Sequence, residues 1–144
     1  MAFVVKENKH SVTVNAKIGS EKYLTSITAG NKEIIGDEPE SLGGKDKGFN
    51  PYELLASALS MCTAATLKAY TDRKEIHVGE INVTVDFSNN AIDKQATFSK
   101  NIKFENKELD EKTLKRLKAI AESCPVNKLL TNTIVVHTNL EGVS

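Results

Sequence analysis

"NPYELLASALSMCTAATLKAY", residues 50–70, decides how this chain is read. Only Glu53 and Lys68 carry charge across it. Asn50 suits a helix N-cap, Pro51 the first helical position, and Glu53 completes an N-x-x-E capping pattern. The helix is predicted to run to about Arg73, where the charged "TDRKE" ends it. Its apolar residues, Tyr52, Leu54, Leu55, Leu59, Met61, Leu67 and Tyr70, occupy nearly every face, with alanines between. A helix that is apolar all round is a buried one. A chain of 144 residues has little material to surround such a rod, so a second subunit is expected to supply the missing cover.

Outward from this helix, the N-terminal part reads as strands. "FVV", "SVTVNAKI" and "YLTSITA" cluster or alternate β-branched residues, and "GSEK" between the last two reads as a hairpin turn. The stretch "GNKEIIGDEPESLGGKDKGFNP" is loop, with a brief strand expected at Ile34 and Ile35. So long a connection is often functional or packed on a partner. Its "GGKDKG" lacks the spacing of a phosphate-binding GxxxxGK[ST] loop and is dismissed as one. After the helix come two strands, "EINVTVDFS" and "ATFSKNIKFE", in the alternation of half-buried antiparallel strands. Residues 108–123 form an amphipathic helix with Leu114, Leu117, Ile120 and Ala121 on one face. "CPVNKLLTN" begins a short helix with Pro125 at its first position, and "TIVVHTNL" is predicted to close the chain as a strand. One domain over residues 1–144, of α+β class, is the expectation.

Composition narrows the function. The chain is 40% hydrophobic and 26% charged, an ordinary globular balance. Its 19 basic and 19 acidic side chains cancel, which argues against a nucleic-acid or anionic-membrane binder. The opening "MAFVVKENKH" has too short an apolar run for a signal peptide, and nothing is long and apolar enough to span a membrane. A cytoplasmic location is expected, where ordinary cysteine pairs stay reduced. No CxxC or HxxxH spacing supports a metal site, and no cofactor is implied. His10, His77 and His137 read as surface or satisfied residues rather than ligands.

That leaves Cys62 and Cys124. Their plain reading is small buried hydrophobes. On a helical wheel Ala58, Ala65, Thr66 and Ala69 lie within about 60° of Cys62, and small residues admit another backbone closely. A thiol sheltered there is hard to ionise, so reactivity would need a nearby cation or hydrogen-bond donors. Cys124 precedes Pro125 and so sits at or beside a helix N-cap, where open N–H groups favour a thiolate. Spacing alone does not show whether the two meet. Meeting, they would fit a pair in which one forms a sulfenic acid with peroxide and the other condenses with it to a disulfide.

"GFNPYELLASALSMCTAATLKAYTDRK" followed by "SCPVNKLL" resembles the OsmC/Ohr family, in its OsmC-like branch. The resemblance covers most of the chain and keeps the two motifs in order. It implies an α+β OsmC-like fold, with antiparallel sheets packed around a long buried central helix in an intertwined homodimer. It implies thiol-dependent reduction of organic hydroperoxides in an apolar pocket at the dimer interface. Cys62 matches the attacking cysteine and Cys124 the resolving one, with a dithiol such as a dihydrolipoyl protein as the reductant the resemblance suggests. Two departures accompany it. The family's peroxidases carry a glutamate ten residues before the attacking cysteine; here that position is Tyr52, and Glu53 follows it. One position turns a side chain by about 100° around the helix. Glu53 is therefore either a helix cap or a catalytic group, and Tyr52 either core or a hydrogen-bond donor to the sulfur or peroxide. The family's N-terminal arginine is also missing, since the only arginines are Arg73 and Arg116. Lys17, Lys22, Lys45 or Lys47 would replace it only as a point charge. Besides the peroxidase reading stand two others: a dimer binding a hydrophobic small molecule with little peroxidase activity, and a stress protein with inert cysteines.

Overall fold

A computed structural model describes residues 11–142. The "FVV" strand and His10 lie outside the described residues. The elements run β1 (Asn15–Ile18), β2 (Thr25–Ala29), β3 (Lys32–Gly36), α1 (Pro51–Arg73), β4 (Ile81–Asn90), β5 (Gln95–Phe104), α2 (Glu111–Glu122) and α3 (Pro125–Leu130), with a 3₁₀ turn at Glu40–Leu42. The architecture is mixed α+β, with antiparallel sheets and a long central helix. The chain divides into two compact units. Within the described residues one comprises 11–58 with Thr84–Lys100, the other Leu59–Val83 with 101–142.

In the first unit, β1, β2 and β3 make a three-stranded antiparallel meander, with Lys17 opposite Ser26 and Ile27 opposite Ile34. The long connection after β3 is tied to one side chain. Asp37, buried, accepts from the backbone N–H groups of Glu38, Lys45 and Lys47 at 2.8, 3.3 and 3.1 Å. Polar backbone that would otherwise need water is thereby satisfied inside the loop. The glycines of "GGKDKG" serve this closure: a Cβ on Gly44 would collide with the Glu38 carbonyl, and one on Gly48 with that of Ile35. The expected capping box opens α1. Asn50 N–H donates to the Glu53 carboxylate and Glu53 N–H to the Asn50 side chain, both at 2.9 Å. Tyr52 stacks on Phe87 with ring centroids 4.9 Å apart, and Phe87 meets Phe98 at 5.0 Å.

The second unit holds the larger core. Leu67 and Tyr70 of α1 pack with Val78, and with Leu117 and Ala121 of α2; Ile81, Ile102, Phe104 and Ile120 border them. The inward positions of β4 and β5 alternate as a period of two requires, and Asp110 caps α2 by accepting from Thr113 N–H at 2.8 Å.

The described residues cover the central helix on one side only, in line with the expectation that one chain has too little material to surround it. Leu59, Thr63, Thr66, Leu67, Tyr70 and Thr71 are buried, while Leu55 and Ala58 stand open, Met61 is 75% exposed and Ala65 is also open. One expectation is corrected. "TIVVHTNL" is not a strand: residues 133–140 have no regular structure and are exposed, Val136 at 82%. Its β-branched residues favour extension, but a strand exists only where another strand takes up its N–H and C=O groups.

Leu117, 1% exposed, sits at the centre of the larger core. Leu117→Ala is expected to cost about 2–5 kcal/mol in urea unfolding, the range for a buried leucine that leaves a cavity. A loss below about 1 kcal/mol would show that this cluster does not hold the unit together.

Candidate functional site

The candidate site lies where α1 meets the start of α3, inside the second unit. Cys124 is the N-cap of α3, and its sulfur accepts from Asn127 N–H at 3.3 Å. Pro125 fits the first helical position, where no N–H is needed. On its other side the Cys124 sulfur is 3.4 Å from Thr63 Oγ1. The Thr63 hydroxyl donates to the Leu59 carbonyl at 2.8 Å. A hydroxyl has one proton and a carbonyl only accepts, so towards the sulfur Thr63 is the acceptor and the Cys124 S–H the donor. Cys124 is fully buried.

Cys62 is half-buried and lies beside the same helix start. Its sulfur is next to the Cys124 sulfur and within reach of the Val126 backbone N–H and the Thr66 hydroxyl. Burial pushes the Cys62 thiol above its ordinary range, and the charge and hydrogen bond of Cys124 push it further the same way. The Val126 N–H and the Thr66 hydroxyl favour the thiolate, but they lose to burial. Cys62 is therefore a neutral thiol at pH 7, and it is the more accessible of the pair. An oxidant entering from solvent reaches Cys62 first.

The structure thus brings Cys62 and Cys124 together, which spacing alone left open. Glu53 and Tyr52 belong to the other unit, where the Glu53 carboxylate closes the capping box and the Tyr52 ring stacks on Phe87. Both arginines are engaged with one aromatic ring. Arg116 donates to the Tyr70 hydroxyl at 3.3 Å, and the Arg73 guanidinium lies 5.7 Å from the Tyr70 ring centre. Lys22 sits over Tyr23, and Lys45 and Lys47 lend their backbone N–H groups to Asp37. Among the described residues, the groups that favour the Cys62 thiolate are hydrogen-bond donors, the Val126 N–H and the Thr66 hydroxyl. Thr63 and the Val126 N–H were not anticipated from the sequence. Thr66 had a legible signal, standing one turn after Cys62 on the same helical face.

Among the described residues no group of three or more His, Cys, Asp or Glu is placed to hold a metal ion, and no helix is long and apolar enough to cross a membrane.

Two neighbouring thiols, one half-open and one capping a helix, on an α+β scaffold with a long central helix make up the candidate site. Residues 44–139 match the family described as OsmC-like protein, and the chain belongs to that family. Solved structures agree with this. A Psychrobacter arcticus protein, named as a candidate osmotic-stress-induced and detoxification-response protein, is 28% identical, with a TM-score of 0.72 over 86% of this chain and 91% of its own. The Legionella pneumophila organic hydroperoxide resistance protein OsmC is 18% identical, with a TM-score of 0.67 over 87% and 92%. OhrB of Bacillus subtilis, an organic hydroperoxide resistance protein, is 23% identical, with a TM-score of 0.58 over 85% and 91%. At these last two identities the similarity is one of fold. No curated protein is similar enough to this chain to count as a match.

Because burial holds the Cys62 thiol neutral, its alkylation by iodoacetamide in a Cys124→Ser background is expected to accelerate about tenfold per pH unit from pH 6 to 9, as the thiolate fraction grows. A rate that is already level near pH 7 would mean that the thiol is ionised there and the assigned direction is wrong.

Proposed function

We propose that this protein is a thiol peroxidase that reduces organic hydroperoxides. The observation supporting it is the neighbouring pair Cys62 and Cys124 at the start of α3. The Cys62 thiolate attacks a peroxide oxygen, the O–O bond breaks, and the alkoxide leaves as the alcohol once protonated. Cys62 is then a sulfenic acid. The Cys124 sulfur attacks the Cys62 sulfur, a disulfide forms, and the hydroxyl departs with the Cys124 proton as water. An external dithiol, of the dihydrolipoyl class, returns both cysteines to thiols and becomes a disulfide itself. Glu53 carries no step in this scheme, since its carboxylate is held by the Asn50 N–H. Tyr52 carries no step in this scheme either, since its ring is stacked on Phe87. The cytoplasm, where such dithiols are kept reduced, is the matching location.

In this reading the working form is an intertwined homodimer. Support comes from the open helical face with Leu55, Ala58, Met61 and Ala65, whose alanines admit a second helix closely, and from the unpaired residues 133–140. Sedimentation equilibrium is expected to give twice the chain mass at micromolar concentration. A stable monomer would remove the dimer from the scheme.

A second reading has its own support. The first unit contains an open, largely apolar hollow of about 260 Å³ bordered by Ile18, Ile27, Phe49 and Leu54, and the Cys62 thiol is hard to ionise. A dimer that binds a hydrophobic small molecule and whose thiols turn over little would show both features. Cumene hydroperoxide with dihydrolipoamide separates the two. Peroxidase action is expected to give peroxide consumption that Cys62→Ser abolishes, by about 10²-fold or more. Slow consumption unchanged by Cys62→Ser would overturn the peroxidase reading and leave the binding one.

A further inference from the structure

Among the serine and threonine side chains of helix α1, Thr66 is set apart by its bonding. Ser57 donates to the Glu53 carbonyl at 2.6 Å, Thr63 to the Leu59 carbonyl at 2.8 Å and Thr71 to the Lys68 carbonyl at 3.2 Å. This is the usual resort of a helical hydroxyl, which bonds back to the preceding turn. Thr66 does otherwise. It is 6% exposed, its Oγ1 is buried, and it has no partner at hydrogen-bonding geometry among the described residues. A buried hydroxyl without a partner is costly, and threonine in a helix has a second common rotamer that would reach a carbonyl. One turn back on the same face is Cys62, and the Thr66 hydroxyl acts on that sulfur in the sense that favours its negative charge.

We infer that Thr66 is a further catalytic residue, its hydroxyl held in reserve as a hydrogen-bond donor to the Cys62 sulfur when that sulfur is ionised and to the oxygen it carries once oxidised. The neutral thiol is a poor acceptor, so the donor waits unpaired in the reduced state. Loss of the thiol proton turns the sulfur into a charged acceptor, and the bond then forms with a strength that neutral pairs lack. With Arg73 and Arg116 both spent on Tyr70, the Val126 N–H and this hydroxyl are the two donors that favour the thiolate. The Val126 N–H cannot be removed by changing a side chain; the hydroxyl can. The role at the ionised sulfur stands without peroxidase turnover, whereas the role at its oxygen rests on the proposed sulfenic acid.

The test uses the full-length protein with Cys124→Ser, whose serine keeps an N-cap for α3 and leaves Cys62 as the single thiol. Thr66→Val removes the hydroxyl at nearly constant shape, Thr66→Ala removes it without adding bulk, and Thr66→Ser retains it. Iodoacetamide alkylation is followed from pH 6 to 11, with thermal melts alongside. The expected result is that Thr66→Val and Thr66→Ala slow alkylation about tenfold at pH 8 and move its midpoint to higher pH, while Thr66→Ser reacts as the parent does. Thr66→Val is also expected to melt at or above the parent temperature, since it discards an unpaired buried hydroxyl. A fall in thiol reactivity without a fall in stability is a result that a packing role would not produce. Dimedone trapping after one equivalent of cumene hydroperoxide reads the oxidised state, where both hydroxyl-free variants are expected to accumulate less sulfenic acid. Alkylation equal to the parent at every pH in both variants would overturn the assignment. Alkylation shifted as expected in a protein that consumes no peroxide would uphold Thr66 and sink the peroxidase reading alone.

Discussion

The seating of Cys124 against Thr63 is the contact on which the site depends. Helix α3 has six residues and would not persist alone in water, because so short a helix does not repay its nucleation. It persists here because its N-cap side chain is fully buried, bonded on one side to its own Asn127 N–H and on the other to α1. That placement brings the Val126 N–H of α3 to the Cys62 sulfur and makes the two sulfurs neighbours. Further along α1, the same side of the helix supplies Leu67 and Tyr70 to the core. Packing and chemistry share one helical face, with the threonines as the polar members between them.

Charge is arranged differently from what a reactive thiol is usually given. A cation beside a cysteine lowers its pKa without needing fine geometry, whereas N–H and O–H donors act only at close range and in the right direction. Here the two arginines flank Tyr70 from its ring face and its hydroxyl, where they brace the core. The Cys62 sulfur is left with burial against it and two donors for it. Burial thus opposes ionisation of the Cys62 thiol, and hydrogen-bond donors rather than a cation are what the described residues set against it.

The surfaces left open have a shared character. Leu55 and Met61 on α1 and Ile134, Val135, Val136 and Leu140 near the end of the chain are all large and apolar, and all exposed. Isolated apolar residues on a surface are ordinary, but a row along one helix and a β-prone run with no neighbouring strand among the described residues support the dimer proposed above. Both fit a partner that offers a helix face and a sheet edge, which a second copy of this chain would do.

Sequence by itself determined the elements whose cause is local. The capping box at Asn50 and Glu53, the termination of α1 at Arg73, the amphipathic face of α2 and the alternation in β4 and β5 follow from neighbours within a few residues, and each is present. The Cys124 N-cap was legible for the same reason, since Cys-Pro opens a helix by its own geometry. "TIVVHTNL" was read as a strand from its β-branched residues, but pairing is a property of two segments, and the described chain provides no second one. The glycines of "GGKDKG", which lack phosphate-loop spacing, answer the nearby Glu38 and Ile35 carbonyls. That Cys62 meets Cys124, that Thr63 takes the Cys124 proton side while Thr66 turns from the helix carbonyls, and that both arginines go to Tyr70 were decided only by tertiary structure. These are contacts between segments far apart in the chain, and nothing in the local backbone energetics of either segment specifies the other.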